Sequence, residues 1–585
     1  MNLVRFLTTV VLLAPISGCT GEGSGSSGSV STRARGKAGS VDTVADAQYA
    51  DRGISEEIVT EFTDQFKRFT AEGKYDVGDV LVVGTSGDAD SLNPIISSNV
   101  LGRDVYGRLF LSLTRTNPDF SHGPEVAKSW EFSDDRKELT FHLRDDVFWH
   151  DGVKTTAHDV KFTHELESNP EVAWGAIKWK EYIEDVVVID DYTIKYVFTK
   201  VYPYQLMDAV VGEILPKHLL EAIPPAELKN AEFNRKPVGN GPYKFKEWKA
   251  QQYIEIVAND KFYAGRPPID RIIFKPIPDT ESRVLQLRNG EVDFVERVPP
   301  RYARELERLS HLAPHVYPSR GYTYLGWNLK NPLFQSKRVR QAMTMAINRQ
   351  EIIDALLFEY GEVCTGPISP IIWAHNPDVP DFPYDPEKAK KHLAEEGWAD
   401  TDGDGWLDKD GQKFSFTLKT NKGNQIREDM VVIIQDMLKK IGVQVTPIIL
   451  EPTVFFGDLK KKNFEAGIAG WSVALKMDLT TLWHSSSIND KFNFVSYSNP
   501  EVDRITDVAK FETDIQKSKK LWWRAQEIIA DDQPYTFLFI QKDVNWIHKR
   551  FRNVQMKTVS WNYNIEQWWV PKAEQKYKSQ QHESR

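Results

Sequence analysis

Cysteine is nearly absent: Cys19 and Cys364 are the only two in 585 residues. No multi-bridge disulfide framework, cysteine-based zinc cluster or CxxC redox pair can be built from them. Beyond the first twenty residues no apolar run reaches membrane-spanning length, so the body of the chain reads as a globule. Neither a run of cations nor an overall basic field is present; the net charge is −9 and the pI about 5.9, which argues against nucleic acid as a partner. HExxH, GxSxG, P-loop and GxGxxG patterns are missing from any suitable strand–helix context, and no internal repeat is found. These absences leave binding ahead of catalysis.

What is present begins at the N-terminus. Residues 1–18 carry one early cation, Arg5, an apolar run from Val10 to Leu13 and small residues before Cys19, the pattern of a secretory signal peptide. Ile16-Ser17-Gly18-Cys19 resembles a lipobox, which would make Cys19 the acylated first residue of the mature chain. Acyl chains stabilise attachment by about 0.8 kcal/mol per buried methylene. Cys364 would then have no partner and is expected to be a buried small apolar residue. The following tract, GEGSGSSGSVSTRARGKAGS, cannot bury a core, so 19–74 is expected to be a lipidated flexible tether.

A chain of this length exceeds what one core supports, so two or three domains are expected. Aromatics make up 12%, with 17 tryptophans; many must be core, yet a cleft that stacks on flat ligand groups would also use them. Asn424 to Gly442 reads as a helix with Met430, Ile434, Met437, Leu438 and Ile441 on one face. Val443–Leu450 reads as a strand, Thr453–Lys462 as a helix and Phe464–Gly470 as another strand, the α/β rhythm of a sheet covered by helices. Asp385-Pro386-Glu387 supplies an N-cap, a proline at the first helical position and an acid in the first turn.

The segment PEVAKSWEFSDDRKELTFHLRDDVFWHDGVKTTAHDV, residues 124–159, has the most order. Ser133-Asp134-Asp135 is a turn cluster, Leu139, Phe141 and Leu143 alternate as on a half-buried strand, and Thr156 with Asp159 makes a capping-box spacing ahead of Phe162 and Leu166. This segment resembles the signature of the family 5 extracellular solute-binding proteins, the oligopeptide-binding lipoproteins that feed ABC importers. Further blocks resemble the family in its order: ILPKHLLE, VGNGPYKFKEW, YLGWNLKNPLFQSKRVRQAMTMAINRQEII, PYDPEKAKKHLAEEGWADTDGDGWLDKDGQKFSFTL, AGWSVALKMDLTTLWHSSS, YSNPEVDRI and DDQPYTFLFI. Together they span roughly residues 76 to 555.

The resemblance implies an α/β fold, bilobal and periplasmic-binding-protein-like, with an extra domain inserted in the first lobe. Mapped by the blocks, 75–112, 213–318 and 545–575 would form lobe I, 113–212 the extra domain and 319–544 lobe II, with ligand held between lobes that close by a hinge. It implies a membrane-anchored lipoprotein facing the periplasm or exterior, monomeric, without cofactor and not an enzyme. It would bind an oligopeptide and deliver it to an ABC permease and its ATPase. An oligosaccharide or other non-peptide solute is the alternative ligand, and a secreted hydrolase, suggested by the tryptophans and acids, the alternative class.

For the site, the resemblance points to Trp471, Ser472, Val473 and Ala474. Peptide-binding relatives follow the tryptophan, three residues on, with an aspartate that pairs with the ligand's free α-amino group; here that position is Ala474. Asp478 could substitute or could cap a surface helix, and Trp471 could line the cleft or fill the core. Ser98, Asn99 and Val100 match a cleft-lining loop, and Trp483 with His484 is a further candidate lining pair or part of the core. Independently of any family, Asp400, Asp402, Asp404, Trp406 and Asp408 have the alternation calcium demands, although Gly411 stands at the twelfth position where a bidentate Glu is expected. A solvated acidic turn and a single structural calcium site are both open. His142, His150, His158 and His164 lack a metal-binding spacing; only the last two share a helix, on different faces.

Overall fold

The computed structural model describes residues 75–489 and 492–577. The expected signal peptide, Cys19 and the tether lie outside the described residues. The described chain forms two compact units, one of 75–317 with 543–577 and one of 318–542. The resemblance places the corresponding crossings near Ser319 and Val544.

In the first unit, β1 (Val80–Thr85) leads through the loop at Ser98 into α1 (Val100–Leu109). Next come β2 (Ala127–Phe132), β3 (Glu138–Leu143), α2 (Ala157–Ser168), β4 (Ile183–Asp190) and β5 (Thr193–Phe198). These four strands make a separate antiparallel sheet in the order β2–β3–β5–β4, with α2 packed on β4 and β5. Leu139, Phe141 and Leu143 are buried while their neighbours are half-exposed, as the alternation predicts. The capping box at α2 forms: the Asp159 carboxylate accepts from the Thr156 N–H at 2.8 Å. The main sheet of this unit adds β6 (Tyr243–Lys249), β7 (Tyr253–Ala258), β8 (Arg271–Pro276) and β9 (Phe294–Val295). Here β1 runs parallel between β8 and β9, and its VLVVGT run is buried along nearly its whole length, as a central strand requires.

The second unit contains β10 (Gly321–Trp327), α3 (Lys337–Met345), α4 (Pro386–Glu395), β11 (Ser415–Asn421), α5 (Gln425–Lys439), β12 (Gln444–Leu450), α6 (Pro452–Lys461), β13 (Ala466–Ser472) and α7 (Ile515–Asp532). A last strand, β14 (Tyr535–His548), gives its first half to this sheet, pairing with β10, and its second half to the other unit, pairing with β9. Strand order in the second unit is β12–β11–β13–β10–β14, with β11 parallel to both of its neighbours. The apolar face read on α5 is the one that packs: Met430, Ile434, Met437 and Leu438 are buried with Phe416, Leu418 and Ile468. Cys364 is buried.

Several boundaries differ from the sequence reading, most at the end of α5 and at both ends of β13. The helix expected to Gly442 ends at Lys439, and Gly442 adopts φ +79° in the turn that follows. The strand expected from Phe464 starts at Ala466, because Asn328 takes the Phe464 carbonyl with its side chain and the Glu465 carbonyl with its backbone N–H. It also runs on to Ser472, which brings Trp471 into register with Tyr322.

Candidate functional site

The strands β12, β11 and β13 all end at one edge of the second unit's sheet, and ligands of open α/β sheets collect outside such carboxyl ends. Trp471, near the end of β13, is half-buried there. Its ring stacks on Phe494 at 5.3 Å and on Tyr324 at 6.1 Å, and meets Phe492 edge-on at 5.7 Å. Its Nε1 donates to the Tyr535 hydroxyl at 3.3 Å, and Tyr535 in turn stacks on Tyr324 at 3.8 Å. The result is an aromatic wall with two partly open rings, Trp471 and Phe492.

Beside this wall lies a cation that the sequence does not announce. Asn424 caps α5 by accepting from the Arg427 N–H, which sets Arg427 in the first turn with its side chain directed to the sheet edge. Its Nη1 donates to Asn421 Oδ1 at 2.8 Å. Gly470 lets the guanidinium lie against β13: a Cβ there would sit 2.8 Å from Nη2. Arg427 is only 8% exposed, and among the described residues it has no carboxylate partner and no acceptor but Asn421. Burial pulls its pKa down to about 10, opposed only by the Tyr324 phenol, so it stays charged at neutral pH. Lys462 adds to the positive field at 5.8 Å from the Phe494 ring; burial, with Lys330 adding, lowers it to about 8.

No acid offsets these cations at the expected place. Ala474 and Ser472 are exposed, Val473 is half-buried, and the exposed Asp478 accepts from the Thr480 N–H at 2.8 Å in the turn before a one-turn helix whose N-cap is Leu479. Trp483 requires a correction: it is wholly buried, packed at 4.7 Å on Tyr535, and so supports the wall from behind instead of lining it. His484 Nδ1 accepts from the Ser486 N–H at 3.0 Å, and its ring nitrogens lie 3.9 and 3.5 Å from the Asp503 and Asp507 carboxylates.

In the first unit, Ser98 and Asn99 hold the entry to α1. Ser98 donates its N–H and hydroxyl to Asp90, and Asn99 accepts from the Gly102 N–H. Ser98 is exposed and Val100 half-buried. The four histidines disperse: His142 faces Glu131, His150 bridges Gly239 and Gly241, His158 lies near Asp191 and His164 packs on Tyr196.

The acidic loop of the second unit does converge. Oxygens of Asp400, Asp402 and Asp408 lie within 4.8 Å of one another. Asp400 accepts from the Gly403 and Gly405 N–H groups, Asp404 from Trp406, and Asp408 from Thr401. Lys413 places its ammonium 2.8 Å from both Asp402 and Asp404, so the loop already carries a counter-charge of its own. The donor set fits a hard cation, which would have to share or replace that lysine.

Comparison with known proteins places the arrangement. Residues 122–493 match the bacterial extracellular solute-binding proteins, family 5 (middle region). The chain is 38% identical over 509 residues to the oligopeptide-binding protein AppA of Bacillus subtilis, an alignment spanning 86% of this chain and 93% of that one. The solved structure of the Bacillus subtilis AppA protein in complex with a nonapeptide superposes with a TM-score of 0.70 at 37% identity, spanning 85% of this chain and all of that one. NikZ from Campylobacter jejuni, solved with Ni(L-His), gives a TM-score of 0.71 at 28% identity over 84% of this chain and 99% of that one. The fold is therefore the bilobal α/β fold of periplasmic binding proteins. Among the described residues no helix is long and apolar enough to cross a membrane.

Proposed function

The chain belongs to the family 5 bacterial extracellular solute-binding proteins, and on that premise we propose that it captures an oligopeptide for an ABC importer, holding a carboxylate of the ligand on Arg427. One observation carries this reading: a nine-tenths-buried guanidinium with no carboxylate of its own sits beside a partly open aromatic wall. A desolvated cation left unpaired is costly, and an anionic ligand group removes that cost. Trp471 supplies a flat apolar surface on which a peptide group or side chain stacks. The alanine at 474 removes the usual anchor for a free α-amino group, so the ligand is oriented by its acid end. Residues 75–112, 213–318 and 545–575 then form the first lobe, 113–212 the extra domain and 319–544 the second lobe. The receptor is tethered through acylated Cys19, hands its cargo unchanged to a permease and its ATPase, and has no turnover of its own. An oligosaccharide lacks the carboxylate that Arg427 calls for.

Calorimetric titration tests the ligand class. A peptide pool with free C-termini should bind, the same pool amidated and free of acidic side chains should bind at least tenfold more weakly, and N-acetylation should change little. Equal affinity for free and amidated peptides removes Arg427 from the site. Mass spectrometry of the mature N-terminus, with Cys19→Ser as the release variant, tests the anchor separately.

A further inference from the structure

A half-open cavity of about 20 Å³ lies in the first unit, between α2, β5 and the segment 209–214. That is room for one water-sized sphere. Helix α2 presents His164 and Glu167 to it, one turn apart on the same face. Glu167 is 2% exposed; one carboxylate oxygen takes the Lys180 ammonium at 2.9 Å, and the other, Oε1, has no hydrogen-bond partner. His164 Nδ1 is likewise buried without a partner, while its Nε2 lies 3.4 Å from the Ser168 hydroxyl. Glu213, half-buried, lines the same space. Gly212, at φ +97°, keeps the cavity open, since a Cβ there would fall 2.2 Å from Glu167 Oε1.

We propose that this cavity binds one ordered water, which bridges Glu167 Oε1, His164 Nδ1 and the Glu213 carboxyl group and thereby fastens α2 to the segment 209–214. Two orphaned buried polar atoms facing one water-sized void are what a bridging water satisfies. The water donates to Glu167 Oε1 and to His164 Nδ1, whose other nitrogen then carries the ring proton toward Ser168. It accepts from the Glu213 carboxyl. A metal or alkali cation fits poorly, because Lys180 already neutralises Glu167 and would stand beside the ion. Nor do these side chains converge as ligands; among the described residues the acids of the Asp400 loop alone do so.

The charges around Glu213 favour its neutral form. Burial pushes its carboxyl up to about 7 against the hydrogen bond from its own backbone N–H; Glu167 and Glu125 add to the rise, and Arg103 opposes it. Tyr196 and the neutral His164, lowered to about 4 by burial with Lys180 and Lys161 adding, bring no compensating positive charge. A carboxyl whose folded value lies above its ordinary 4.5 contributes stability that is whole below 4.5 and is lost as pH rises through about 7.

Two measurements test the proposal on the mature protein. A high-resolution crystal structure at pH 5.5 should show one peak within hydrogen-bond distance of the three groups; an empty cavity overturns the proposal. Melting curves from pH 5 to 8 should show Glu213→Gln losing less than wild type, by about 2 °C. Parallel profiles overturn the protonated-acid assignment. Potassium or ammonium raising the wild-type melting point specifically, against sodium at equal ionic strength, would replace the water by a cation.

Discussion

Arg550 and Arg427 are both buried arginines, and they are opposites in what surrounds them. Arg550, 2% exposed, donates to Asp79 at 3.1 Å, to both oxygens of Asp293 and to the Val80 carbonyl. Burial works against its charge, yet the two carboxylates win and its pKa lies above the ordinary arginine value. Arg427 has one amide oxygen. Absence of a carboxylate alone does not mark a ligand site, as Arg340 shows: it too has none, but its guanidinium is saturated by the carbonyls of Asp532, Gln533, Phe334 and Gln335. A buried arginine completed by its own chain is structural. One left incomplete at the carboxyl edge of a sheet, beside a half-open aromatic wall, is what the proposed ligand carboxylate would complete.

The sharpest way to break this contrast is to remove each cation in turn. Arg550→Met strands two buried carboxylates and should cost about 3–5 kcal/mol in denaturant unfolding. Arg427→Met leaves no buried charge behind, so stability should change by less than about 1 kcal/mol, or improve, while affinity for free-acid peptides falls by about 2 kcal/mol or more, roughly thirtyfold. If Arg427→Met is as destabilising as Arg550→Met and binding is untouched, the two arginines are alike after all. Trp471→Ala should follow with about a tenfold loss of affinity and little change in the apo melting point, since its ring is only partly buried.

Much of this frame was legible without coordinates, for reasons that separate local from long-range physics. The capping box at Thr156, the α5 face at Met430 and Ile434, and the Asp385 cap depend on residues three or four apart, so spacing reveals them. Trp471 and Ala474 came from resemblance and not from spacing. Arg427 was invisible because it falls outside the apolar periodicity of α5 and reads as one more polar residue in a first turn. Its burial comes from Asn421 and Gly470 on two other strands, and the stacking of Trp471 on Tyr324 comes from the β13–β10 register. Strand register is tertiary information. Trp483 was misjudged for the same reason: its burial follows from Tyr535, which lies far along the chain.

A smaller effect sharpens how Arg427 is aimed. Asn424 accepts from the Arg427 N–H and so fixes the first turn of α5. Asn424→Ala should cost about 1 kcal/mol of stability. It should also weaken free-acid peptides more than amidated ones, because the guanidinium loses its placement and not its charge. A uniform loss across both peptide sets would make Asn424 a cap and nothing more.

The smallest expected effect concerns a third way of answering a charge, at the Asp400 loop, where acids outnumber the one lysine that meets them. Lys413 stands 2.8 Å from both Asp402 and Asp404, in the space a cation bound by these carboxylates would need. Calcium at millimolar concentration should therefore move the wild-type melting point by no more than about 1 °C. Lys413→Gln leaves the acids facing one another, so its melting point should fall slightly in chelator, and calcium should restore it where magnesium does not, because the loop's geometry suits a larger, irregularly coordinated ion. If calcium restores nothing, the loop is a solvated turn for which Lys413 suffices, and its charge, like that of Arg550, is answered within the chain.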